Sequence, residues 1–395
     1  MQFPPYAAAM IEKLNAAGFA AYAVGGCVRD TLLGRTPAVW DITTAARPAE
    51  TMAVFADPPF TVRADNGLRH GTVTVILGGD ACEITTFRTE GAYTDHRRPD
   101  SVTFVTDVTE DLARRDFTVN AMAAAPSDGG VNILDPFGGQ ADLRAGILRA
   151  VGRAEERFSE DALRILRGMR FAARYGFAVE AETAAAMHRY APLLETIAPE
   201  RIGDELRGIL AAPHCADILR QFADIADLLL PGCAADAPAM TMADCPAVRL
   251  SCLLSSCRPA EAEGTLLRYG FGLAAARRVS LHLVLRDADL TRHDVRCQIA
   301  DRCGKDGAAA FFAFRRALRP EDDTIPAADT AVQALFAPGA CYNVATLAVS
   351  GADLIAAGIP AGPQIGKILK QLTEEVIAGR LPNDRDALLA AVRKQ

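Results

Sequence analysis

The first residues with the right types for chemistry are Gly25-Gly26-Cys27-Val28-Arg29-Asp30. Two glycines at a strand-to-helix turn let the backbone approach a ligand closely, and the N–H groups of the helix that follows favour an anion. Arg29 can add a charge-assisted bond to phosphate. The same turn also occurs for purely steric reasons. Next comes Val39-Trp40-Asp41-Ile42-Thr43-Thr44. Acids two apart on a strand share a face and can grip the same metal ions. Asp41 is such an acid, whereas Val39 cannot coordinate anything. Glu83, in Glu83-Ile84-Thr85-Thr86-Phe87, is a mid-strand acid among β-branched residues. It reads either as a further metal carboxylate or as a solvated acid on an exposed sheet face.

The segment from Glu160 to Arg174 is the most informative. At about 100° per residue, Ala162, Ile165, Leu166, Met169 and Ala173 gather on one helical face. Arg164, Arg167, Arg170 and Arg174 lie opposite, with Asp161 at the N-terminal edge. A solvated face of an amphipathic helix is one explanation. The arginines repel one another, however, and only Glu160 is spaced to relieve one of them, Arg164, through an i,i+4 pair. A polyanion would relieve all four. Asp161 and Arg164, three apart, are expected to project side by side. Aspartate only accepts hydrogen bonds and guanidinium only donates. Cytosine and adenine each present an amino donor beside a ring-nitrogen acceptor, which this pair matches. Guanine and uracil present the reverse order and would leave buried groups unpaired, at about 1–3 kcal/mol each. One such pair accepts C and A and rejects G and U without a template.

These residues need a scaffold. The first third alternates helix and strand: an amphipathic stretch from Tyr6 to Ala17, a strand at Ala20–Val24, a helix from Cys27 to Leu33 and a strand at Val39–Thr44. Val73–Ile76 and Glu83–Phe87 flank Gly78-Gly79-Asp80, a hairpin signal, and Val102–Val105 adds a β-rich run. From about Arg157 helical periodicity takes over. The stretches Gly232–Pro246 and Arg319–Asp329 read as linkers. The fold class is α+β, a small mixed sheet with helices followed by an all-helical remainder.

The ordered blocks resemble the class II tRNA nucleotidyltransferases (CCA-adding enzymes) and their bacterial poly(A) polymerase relatives. Gly25-Gly26 to Arg35 resembles the family's nucleotide-binding turn, and Val39-Trp40-Asp41 falls on its Asp-x-Asp metal motif with the first aspartate replaced. His70-Gly71-Thr72-Val73, Glu83 to Arg88, Arg114 to Asn120, Asp135-Pro136-Phe137-Gly138-Gly139 and Arg157 to Arg164 continue the match. The resemblance implies a polymerase-β-like head at 1–147, a helical neck with the nucleotide-selecting helix at 148–210, a helical body at 211–325 and a helical tail at 326–395. It implies that Mg²⁺ bound at Asp41 holds the triphosphate, with Asp41 and Glu83 catalytic. Nucleotide-binding roles follow for Gly26, Arg29, Arg115, Asp161, Arg164, Arg167 and Arg170. Tyr93, Asp95, Arg97 and Arg98 sit in the counterpart of the family's flexible loop, Arg88 to Pro99, which is associated with A addition. Pro199 to Leu210 is similar to the neck, Asp217 to Pro231 to the start of the body, and Val349 to Lys367 to the tail. The implied partners are the 3′ acceptor end of tRNA, CTP and ATP.

Composition limits the alternatives. The 395 residues carry net charge −7, half are apolar and 23% are charged, so any attraction to nucleic acid must be local. No apolar run reaches the roughly 18 residues of a membrane span, and the N-terminus lacks a secretory signal. Ten scattered cysteines without a C-x-x-C pair point to free thiols and a cytoplasmic setting. His293-Asp294 stands without a partner motif and reads as structural. Two rival readings remain: a poly(A) polymerase or other A-adding relative, and a catalytically silent RNA- or nucleotide-binding protein, for which Val39 is the support. With Val39 in the metal motif, catalysis is expected to be weak or abolished.

Overall fold

A computed structural model describes residues 2–63, 68–91, 101–127, 130–235, 238–243 and 245–393. The chain divides into two compact units, Met1–Ile225 and Ala226–Gln395. In the first unit, helix α1 (Pro5–Ala16) buries Ala7, Met10, Ile11 and Leu14, one stripe at helical spacing. It leads into β1 (Ala21–Val24), α2 (Gly26–Leu32), β2 (Asp41–Thr44), α3 (Pro48–Val54), β3 (Phe60–Arg63), β4 (Thr72–Leu77) and β5 (Asp80–Thr86). A small ribbon of β6 (Arg88–Glu90) and β7 (Val102–Phe104) follows, then α4 (Val108–Ala113), β8 (Ala123–Ser127), β9 (Gly130–Leu134) and α5 (Gly139–Ala145).

The main sheet has the order β3-β4-β5-β2-β1-β8-β9. Its neighbours pair antiparallel except β2 and β5, which run parallel with Asp41 opposite Glu83. The expected hairpin is there, closing at Leu77↔Asp80. The strand expected from Val39 begins only at Asp41. Burial nevertheless alternates through the approach, since Val39 is 66% exposed and Trp40 only 5%. Sequence patterning does not mark β8, because alanine has little intrinsic strand preference. Its strand state comes from pairing on both sides, with Ala123, Ala124 and Ala125 buried between β1 and β9.

Beyond the sheet the unit is helical: α6 (Ala154–Glu160), α7 (Leu163–Tyr175), α8 (Ala181–Tyr190), α9 (Pro199–Ala211) and α10 (Cys215–Gln221). One exception to the all-helical expectation is a two-residue parallel pairing of β10 (Ile147–Leu148) with β11 (Ala178–Val179). The continuous helix expected from Glu160 is also broken. Glu160 ends α6, Asp161 is extended (φ −138°, ψ 101°), and α7 starts at Leu163. The apolar face forms as expected, with Ala162, Ile165, Leu166, Met169 and Ala173 buried.

In the second unit, helices Pro246–Leu253, Leu273–Val284 and His293–Leu318 enclose a core that includes Phe311, Phe312 and Phe314. The last of these helices kinks at Gly304 (φ 65°, ψ −179°). Thr324–Ala334 is helical, so the second expected linker is partly ordered into a helix. Near the C-terminus, Gly351–Ala356 and Pro363–Ile377 flank a glycine turn and share a core with Leu347, Leu372 and Leu388. All ten cysteines are free. Among the described residues no helix is long and apolar enough to cross a membrane. His293 faces Cys297 (3.5 Å) and Asp294 pairs with Arg292 (2.7 Å).

Candidate functional site

The end of β1 turns sharply at Gly25, with φ 77°. A side chain there would be strained, and its Cβ would lie 3.1 Å from Arg115 Nη1. Glycine therefore keeps the turn tight against a cation. The turn borders a cleft of about 330 Å³, lined by five arginines (Arg29, Arg115, Arg167, Arg170, Arg174) and three aspartates (Asp30, Asp41, Asp116). Gly25, Gly26, Val39, Asn120 and Phe171 complete the part that matters here. The surplus of positive charge suits a phosphorylated anion.

Asp41 enters from the first residue of β2, and Glu83 sits beside it in parallel register on β5. Glu83 is exposed and does not line the cleft itself. Burial pushes the Asp41 carboxyl above its ordinary range, Glu83 adds to that, and Arg115 opposes it. Two like charges side by side are what a hard divalent cation relieves. Among the described residues no group of three His, Cys, Asp or Glu side chains converges to hold a metal. The protein thus offers two carboxylates. That fits Mg²⁺, which is commonly held by one or two carboxylates with substrate phosphates completing the shell.

Arg115 donates to Asp111 Oδ2 at 3.2 Å, while its buried Nε has no partner. Arg29, read from the sequence as a possible phosphate contact, lines the cleft but is held by protein partners. It is 4% exposed, bonds Asp30 (2.9 Å) and Asn120, and lies 4.7 Å from the Tyr175 ring and 5.2 Å from that of Phe171. Tyr175 also donates to Asp30 at 2.8 Å. Arg29 therefore ties the glycine turn to α7.

The arginines of α7 find acids that spacing along the helix could not reveal. Arg164 pairs with Glu160 at 2.6 Å, as expected, but Arg167 meets Asp116 at 2.8 Å and Arg170 meets Glu205 at 2.5 Å. The relief assigned to a polyanion comes in part from Asp116 and Glu205. Arg174 is exposed and stacks near Tyr175. Asp161 and Arg164 do not project side by side from one helix, because the chain breaks between α6 and α7. Asp161 pairs with Arg201 at 3.0 Å, and Arg164 donates to the carbonyls of Arg157 (3.2 Å) and Arg114 (3.0 Å). Neither residue lines the cleft. Tyr93, Asp95, Arg97 and Arg98 lie outside the described residues.

Asp116 and Asn120 were not singled out from sequence, although both sit in the Arg114–Asn120 block. Asp116 accepts from the Phe117 backbone N–H (2.8 Å), Asn120 Nδ2 (3.1 Å) and Arg167 Nε (2.9 Å). Burial would raise its carboxyl, but Arg167 and Asn120 outweigh burial and hold it at about 2. A folded carboxyl more acidic than its unfolded form stabilises the fold above the ordinary aspartate range, and that contribution disappears as pH falls toward 2. The size is about 2–3 kcal/mol. Urea midpoints are therefore expected to fall more steeply between pH 5 and pH 2.5 in the wild type than in Asp116→Asn. Parallel slopes would show that Asp116 carries no such share.

Three family models match parts of this chain. Residues 21–149 match the family described as the poly A polymerase head domain. Residues 176–235 match the RNA and SrmB-binding site of polymerase A, and residues 322–392 match tRNA nucleotidyltransferase domain 2. The CCA-adding enzyme of Streptococcus mutans is 37% identical over 98% of this chain and 96% of its own length. That of Latilactobacillus sakei is 39% identical over 99% of this chain and 98% of its own. Among solved structures, the CCA-adding enzyme of Bacillus stearothermophilus in complex with CTP superposes with a TM-score of 0.76 at 32% identity, covering 100% of this chain and 98% of that one.

Proposed function

Because this chain belongs to the CCA-adding enzymes, a family of tRNA nucleotidyltransferases, we propose that it adds C, C and A without a template to the 3′ end of tRNA from CTP and ATP. The observation that carries the reading is Asp41 in register with Glu83, beside the glycine turn and the arginine-lined cleft. The tRNA 3′-hydroxyl oxygen bonds to the α-phosphorus as its proton passes to solvent water, the bond from the α-phosphorus to the bridging oxygen breaks, and pyrophosphate leaves. Mg²⁺ bound by Asp41 and Glu83 would supply charge neutralisation at the triphosphate. Gly25-Gly26 allows close approach of the backbone at Gly26, and Arg29 braces that turn. Arg115 contacts the triphosphate, and Arg167 and Arg170 orient the nucleotide. Four divisions, head 1–147, neck 148–210, body 211–325 and tail 326–395, serve this chemistry in a cytoplasmic setting, which the ten free cysteines support.

Base choice falls to Asp161 and Arg164. For them to read a base edge, Asp161 exchanges Arg201 for the nucleotide, and Arg164 gives up part of its bonding to Glu160 and the Arg157 and Arg114 carbonyls. Replacing both by alanine is expected to raise GTP and UTP incorporation relative to CTP by about 10- to 100-fold, given 1–3 kcal/mol per mispaired group. Unaltered discrimination in single-turnover competition would remove this pair from the selection step.

Val39 weakens the chemistry, because only one acid of the motif's two remains. The reading is tested with tRNA ending at the discriminator base. CTP alone should extend it by two nucleotides, and CTP with ATP by three, slowly in the wild-type chain. A long A tract from ATP alone would indicate a poly(A) polymerase. A chain that binds tRNA but incorporates nothing, with or without Val39→Asp, would be a silent binding protein.

A further inference from the structure

Helix Leu273–Val284 and the kinked region of His293–Leu318 enclose a cavity of about 240 Å³ in the second unit. Arg277, Arg278 and Arg302 line it, together with Leu281, His282 and Gly307. Several other arginines of this unit are matched by acids: Arg258 with Glu261, Arg292 with Asp294, Arg316 with Asp329 and Arg319 with Asp287. Among the described residues, Arg277, Arg278 and Arg302 have no such ion pair.

The reason is built into both helices. Leu273–Val284 contains no acid, so neither Arg277 nor Arg278 has a partner at i±3 or i±4 on its own helix. Arg302 and Asp306 are four apart, a spacing that pairs on a continuous helix. Between them Gly304 leaves helical geometry, and no Arg302–Asp306 pair forms. The floor is His282, 1% exposed, whose Nδ1 lies 2.9 Å from Ser251 Oγ. Ser251 Oγ donates its hydrogen bond to the Ala247 carbonyl, so Nδ1 is the donor to Oγ and the unpartnered Nε2 carries no proton. Burial, with help from Arg278, holds this imidazole at about 4 and thus neutral. The cavity's charge therefore comes from its arginines alone.

We propose that Arg277, Arg278 and Arg302 form a binding site for one phosphodiester group of the RNA backbone. Three guanidiniums without acids match the donor-hungry oxygens of a phosphate. The volume lies below the roughly 300 Å³ at which whole small-molecule sites begin, so it suits one phosphoryl group rather than a nucleotide. The three arginines fall outside residues 21–149, 176–235 and 322–392, the segments with family matches. The choice of RNA as the source rests on the proposed function above.

The test is tRNA binding by the full chain across a salt series, with incorporation assayed alongside. Replacing all three arginines by alanine should weaken binding about tenfold near 0.1 M salt. It should also lower the slope of log K against log salt by about 0.7–0.9, the value of one phosphate contact. A control lacking Arg258, Arg292 and Arg316, of equal net charge, should keep the wild-type slope. Thermal melts confirm that both variants fold, and CTP binding should be unchanged in both. If wild-type and triple variant bind tRNA with the same slope, this inference fails while the proposed function stands. If the wild-type chain binds no tRNA, both fail. Titration with inorganic phosphate at constant ionic strength separates the sources: phosphate binding lost in the triple variant, with tRNA slopes coincident, would mean a free anion and overturn the RNA assignment.

Discussion

Val39→Asp is expected to accelerate nucleotide addition on the order of 10²–10³-fold, the usual scale for one electrostatic contact to a transition state. Val39 lines the cleft and is 66% exposed, whereas Trp40 behind it is buried. Alternation through this stretch puts position 39 on the same side as Asp41. A carboxylate there would join Asp41 and Glu83 in gripping a cation. The substitution should cost little stability, because exposed positions usually shift folding by no more than about 0.5 kcal/mol. Single-turnover incorporation from CTP onto trimmed tRNA measures the gain. Equal rates in the two proteins would mean that position 39 has no part in the chemistry.

The second large effect is a loss. Asp41→Asn, made in the Val39→Asp background, should lower kcat by on the order of 10³ and leave CTP affinity nearly intact, the pattern of an interaction made mainly in the transition state. Stability gives a useful control. The folded Asp41 carboxyl is raised by burial and by Glu83, so its charge opposes folding near neutral pH. Asparagine, equal in shape and uncharged, should melt at the same temperature or higher. A dead protein with an unchanged or raised Tm then reports lost chemistry rather than lost fold. A variant that retains full kcat would exclude Asp41 from catalysis.

What could be read from the sequence follows a physical divide. Local signals were legible: the Gly78-Gly79 hairpin, α1 from its apolar stripe, and the buried face of α7. Asp41 and Glu83 were also visible as acids in strand-like surroundings, but their parallel register depends on a crossover through α3, β3 and β4. Two kinds of feature were hidden. The first is structure imposed by neighbours, such as the alanine strand β8, whose own propensity is low. The second is pairing between distant residues: Arg167 with Asp116, Arg170 with Glu205 and Asp161 with Arg201. Periodicity along one helix sees only acids about one turn away, and the i,i+4 spacing picked out Glu160 alone. The break at Asp161 escaped for a related reason, since Glu160, Asp161 and Ala162 all tolerate helix and nothing there marks a stop.

Manganese binding reports on the carboxylate pair without relying on turnover. Electron paramagnetic resonance of Mn²⁺ in the presence of CTP should show a bound ion in the wild-type chain, weakened sharply by Asp41→Asn and by Glu83→Gln, and tightened by Val39→Asp. Undiminished Mn²⁺ binding in Asp41→Asn and Glu83→Gln would contradict the assignment of these two acids as the cation's grip.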